Sequence, residues 1–81
     1  MLPLLVVEDL VSAFKFWNKG IHEGIFYRND FYVSRYRAAL SDRLKAYHCA
    51  TQESVKGFKV CVTVSKTHYT VWVDMRSYLA Q

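Results

Sequence analysis

The chain is predicted to be an α+β domain in which two α-helices pack on one face of a small antiparallel β-sheet, the sheet being a C-terminal hairpin. Three patterns carry this expectation. Apolar residues recur at helical spacing over residues 3–19 and again over residues 30–56, while residues 58–75 alternate with period two.

In the first stretch, Pro3 suits an opening helical turn, where its missing N–H costs nothing. Glu8, Ser12, Lys15 and Lys19 form one polar stripe. Val7, Leu10, Val11, Phe14 and Trp17 fill the opposite side, and Val6 and Phe16 widen it. Acids at Glu8 and Asp9 and bases at Lys15 and Lys19 suit the helix dipole, and Gly20 reads as the stop. An apolar arc this broad implies deep packing or sharing with a second subunit. Gly20 and Gly24 then frame Ile25-Phe26-Tyr27, which reads equally as a loop or a short strand.

Asp30 is the expected N-cap of the second helix. From there Val33, Tyr36, Leu40, Leu44 and Tyr47 step by three or four residues, and Thr51 and Val55 continue the row. Ser34, Arg35, Ala38, Ser41, Asp42, Lys45, Gln52 and Lys56 occupy the other faces, and Gly57 closes the pattern. One helix running to Lys56 is favoured over a break near Thr51.

The period-two segments pair as a hairpin about Lys66-Thr67. Val64 then faces Tyr69, Val62 faces Val71, Val60 faces Val73 and Phe58 faces Met75, all on one side. The other side pairs Lys59 with Asp74, Cys61 with Trp72 and Thr63 with Thr70. Slipping by one residue would drive Lys59 or Asp74 into the core, so the register is strongly specified. Lys66-Thr67 is not a favoured two-residue turn, which leaves a wider loop open. Two strands alone are unstable and need the helices beneath them.

A chain of 81 residues makes a single domain, residues 1–81. Domains this small bury only about 60% of the surface exposed by the unfolded chain. With 52% hydrophobic residues, the excess is hard to hide, so a homodimer or a standing partner is expected. Two cysteines, Cys49 and Cys61, do not make a disulfide scaffold. Leu2 to Val7 lacks a preceding positive residue and ends at Glu8 and Asp9, so neither a signal peptide nor a membrane partner is expected, and a cytoplasmic location is.

Chemistry-bearing patterns are sparse. His22, His48, His68, Cys49 and Cys61 lack the paired spacing of metal ligands. Cys61 has no histidine placed to activate it, and there is no glycine-rich phosphate loop. The expectation is therefore a non-enzymatic protein with no cofactor, no metal and no small-molecule ligand implied.

What remains is binding. The expected function is a protein-interaction or regulatory module, homodimeric or bound to another protein through the outer hairpin face. That face carries Trp72, His68, Thr70 and Thr63, with Arg35, Lys45, Lys59 and Lys66 beside it. The alternative is a nucleic-acid-binding module using those four cations, since residues 28–81 hold nine Lys and Arg against four acids.

Overall fold

The computed structural model describes residues 4–79, and strands dominate it. They are β1 (Leu4–Val7), β2 (Ser12–Trp17), β3 (Ile21–Tyr27), β4 (Asp30–Ala39), β5 (Val60–Val64) and β6 (His68–Asp74). Helix α1 (Arg43–Val55) separates β4 from β5, and a short α2 (Met75–Leu79) follows β6. Single 3₁₀ turns cover Glu8–Leu10 and Leu40–Asp42. The strands form one mixed sheet in the order β1-β5-β6-β4-β3-β2, with β1 and β5 parallel and the other neighbours antiparallel.

Two long helices on a small sheet are therefore not what the chain forms. The stretch expected as the first helix is β1, a 3₁₀ turn and β2. Its content explains why: Val6, Val7, Val11, Phe14, Phe16 and Trp17 are β-branched or aromatic, types that lose rotamer freedom in a helix and fit a pleated surface. The broad apolar arc was two strand faces projected onto a helical wheel. Pro3 lies outside the described residues. Gly20 stops no helix; with φ of 144° it turns β2 into β3, behind Lys19 at 58°.

The second expected helix is strand for its first ten residues. Asp30 caps nothing and instead pairs with Tyr27 across a two-residue turn. Arg28 and Asn29 stand there at φ of 49° and 66°, the two positive values that a type I′ hairpin turn requires. Phe31, Tyr32, Val33 and Tyr36 again favour the pleated form. The helix begins only at Arg43 and passes Thr51 unbroken, and Gly57 ends it at φ of 94° with its N–H on the Ser54 carbonyl.

The C-terminal hairpin has the expected register. Val60 opposes Val73, Cys61 Trp72, Val62 Val71, Thr63 Thr70 and Val64 Tyr69. Its unfavoured turn is held by Ser65, whose Oγ accepts from the N–H groups of Thr67 and His68 at 3.2 Å each.

Connectivity forces the sheet to curl. Val7 and Ser12 are five residues apart and span at most about 18 Å of extended chain. They belong to opposite edges of six strands, which would be about 24 Å apart if flat. On the concave side Val6, Ile25, Tyr32, Cys61 and Trp72 form one core cluster, joined by Val11 and Tyr27. On the convex side α1 lays Ala46 and Ala50 against Ala38, Val62 and Val71. A bulge between Ser34 and Tyr36 adds Arg35 to β4, and its guanidinium meets the buried Glu53 of α1 at 2.8 Å. Among the described residues no helix is long and apolar enough to cross a membrane.

Candidate functional site

Strand alternation puts Trp72, Thr70 and Thr63 on the face away from α1, as the hairpin register requires. That face does not meet solvent. Trp72 is 4% exposed and donates its indole N–H to Thr63 Oγ1 at 2.8 Å, while Thr63 and Thr70 are fully enclosed. The curled sheet supplies the cover, through Val6, Ile25 and Tyr32, so the surface expected on the outer hairpin is a second core. His68, at the end of β6, is half-buried; its Nδ1 lies 2.7 Å from Thr67 Oγ1 and 3.2 Å from Ser65 Oγ, and its Nε2 lies 3.7 Å from Glu8. Ser65 is occupied in holding the turn, and its hydroxyl also reaches the His68 carbonyl.

The four expected cations are not gathered either. Arg35 is committed to Glu53, and Lys59 is ion-paired with Asp30. That bond holds the Asp30 carboxyl below the usual range and raises the Lys59 ammonium. Lys45 is exposed on α1, and Lys66 stands in the β5–β6 turn, about 20 Å along the strand from Lys59.

The exposed surface that the sequence reading missed lies on the edge strand. β2 pairs with β3 only, so its outer edge is the end of the sheet. Trp17 and Ile21 oppose each other near the hairpin tip and are 76% and 72% exposed. On the convex side Phe14 rests over Gly24, where a Cβ would come within 2.6 Å of its ring. Phe14 also meets Phe31 edge-on at 5.7 Å, Phe31 meets Phe26 at 4.9 Å, and Phe16 stacks on His22 at 5.4 Å. The run of aromatic residues at Phe14, Phe16 and Trp17, with Gly20 behind it, was the signal that could have suggested this strand.

Beside β2 the concave face opens into a cleft of about 320 Å³. Val11, Ala13, Ile25, Thr70 and Trp72 line it, with Phe14 and Gly24 at its margin, and Glu8, Lys15, Glu23 and Arg37 bring charge to its lining. Arg37 Nη2 bonds Glu23 Oε2 at 3.0 Å, whereas Lys15 has no ion-pair partner among the described residues. Thr70 Oγ1 is buried without a hydrogen-bond partner among the described residues.

Burial pushes the Cys61 thiol up to about 11, and Cys49 is also raised, first by burial and then by Glu53. Among the described residues no three His, Cys, Asp or Glu side chains are grouped to hold a metal ion. The chain matches no protein-family model, no curated protein and no solved structure.

Proposed function

We propose that the protein is a non-enzymatic interaction module that binds a protein chain by strand addition at the free edge of β2. One observation carries the reading: the indole of Trp17 on the last strand, β2, stands in water beside the aliphatic side chain of Ile21 on β3. Tryptophan is among the residues most enriched at binding hot spots. A terminal strand also presents unpaired N–H and C=O groups, and natural edges are usually guarded by proline, bulges or several charges. β2 has one guard, Lys15. Main-chain hydrogen bonds along such an edge supply affinity, and alternate side chains supply selectivity.

The test places a photo-crosslinking residue at position 17 or, as a control, at position 66, in the cells that make the protein. Covalent protein adducts are expected from position 17 and not from 66. Adducts from 66 alone, or from neither, would refute the reading. Because both side chains are exposed, Trp17→Ala with Ile21→Ser is expected to shift the melting temperature by no more than about 3 °C. The same variant should lose the adducts formed through a crosslinker at Lys15.

A further inference from the structure

We infer that the partner strand belongs to a second copy of this chain, paired β2 to β2 with Phe14 opposite its own mate, and that each Trp17 closes the concave cleft of the other copy. This rests on the strand-addition reading above. Two copies related by a two-fold axis through a continuous sheet keep convex side with convex side, so a residue of β2 must oppose one of the same facing.

Three registers satisfy that condition over most of the strand. With Ala13 opposite itself, Phe16 and Trp17 run past the end of the partner strand. With Lys15 opposite itself, two ammonium groups are held side by side, an arrangement that destabilises a sheet pair. With Phe14 opposite itself, Ser12 faces Phe16, Ala13 faces Lys15, and Trp17 faces Val11. No like charges stand directly opposite each other, the two Lys15 lying only diagonally. Every residue of β2 but Trp17 is paired within the partner strand, and Trp17, the most exposed aromatic ring, is covered by the adjoining Val11.

The same register delivers Trp17 to a site that fits it. Val11 and Ala13, its opposite and diagonal neighbours, line the cleft. A cavity of about 150 Å³ suffices to hold benzene, so one of about 320 Å³ has room for an indole. Lys15 and Arg37 in the lining favour an electron-rich ring face. On the convex side the pairing joins the Phe14–Phe31–Phe26 rows of the two copies.

The chain has two tryptophans, so the unaltered protein made with fluorotryptophan gives two fluorine resonances, assigned with Trp17→Phe. On raising the concentration from sub-micromolar to sub-millimolar, light scattering is expected to pass from one chain to two. The Trp17 resonance should move in step and lose its solvent isotope shift, while that of Trp72 already lacks one. In a Cys49→Ser background, mild oxidation should link Phe14→Cys dimers, and Lys15→Cys dimers far less. A single-chain mass at every concentration, with position 17 still crosslinking to some other protein, overturns the second copy and leaves strand addition standing. A dimer whose Trp17 resonance stays fixed overturns the cleft, and preferential linking through Lys15→Cys overturns the register.

Discussion

Cys61 shows how burial fixes a residue's chemistry in this protein. It has no exposed surface, and its thiol is pushed from an ordinary 9.0 up to about 11. The folded chain therefore keeps a proton that the unfolded chain releases first. Stability on this account is full below pH 9 and declines as pH rises toward 11, by about 3 kcal/mol in all. Urea unfolding across that window should show the decline, and Cys61→Ala should flatten it; an unchanged slope in the variant would assign the alkaline loss elsewhere. Glu53 poses the converse problem. Its carboxylate is buried, with Arg35 at 2.8 Å and Lys56 at 3.6 Å, and Oε2 lacks a hydrogen bond among the described residues. Arg35→Met leaves that charge inside without its nearest counterion and is expected to cost about 2–4 kcal/mol, less than a fully enclosed pair because the guanidinium is partly solvated. Adding Glu53→Gln should recover part of the loss, and a double variant as unstable as the single one would show that packing, not charge, is at stake.

At the level of elements, turns rather than periodicity separate the true strands from the expected helices. The turn at Arg28-Asn29 places two ordinary L-residues in the left-handed region, where Asn fits with little strain and Arg does not. Replacing the pair by Asn-Gly, the residues this turn type prefers, is expected to raise the melting temperature by several degrees, from a gain of about 1 kcal/mol. An unchanged or lower melting point would mean that the contact of Arg28 over the Tyr27 ring outweighs the backbone relief. Helix α1 owes its place to small residues: Ala46 and Ala50 let it lie close on Val62 and Val71, while Leu44 and Val55 remain exposed on its outer side. That inverted distribution is why the leucine and valine row misled as a core stripe.

Over the whole molecule, the short link between β1 and β2 dictates the shape. It obliges the sheet to curl, which creates a concave core, encloses Trp72, and leaves a cleft bounded by the Glu8–Val11 segment and β2. The two edges of the sheet differ in consequence. Among the described residues β1 covers Leu4–Val7, whereas β2 is a six-residue edge that is aromatic and thinly charged. The cations are scattered over several elements, and among the described residues four of them are tied to acids within the chain.

The hairpin of β5 and β6 was legible from side-chain order because its alternation is strict on both faces and a one-residue slip would bury a charge, but the expected outermost pair, Phe58 with Met75, lies beyond it, since Met75 opens α2. The C-terminal limit of α1 at Gly57 was legible for a similar local reason, a residue suited to positive φ. Residues 4–42 were not, because valines and aromatic rings at mixed spacing satisfy a wheel and a pleat alike, and the choice falls to whichever form finds neighbours. Which side of the hairpin meets water was decided still further from the local chain. Trp72 lies under strands contributed by residues 4–7, 21–27 and 30–39, and only pairing between segments distant in sequence could bury it and expose Trp17 in its place.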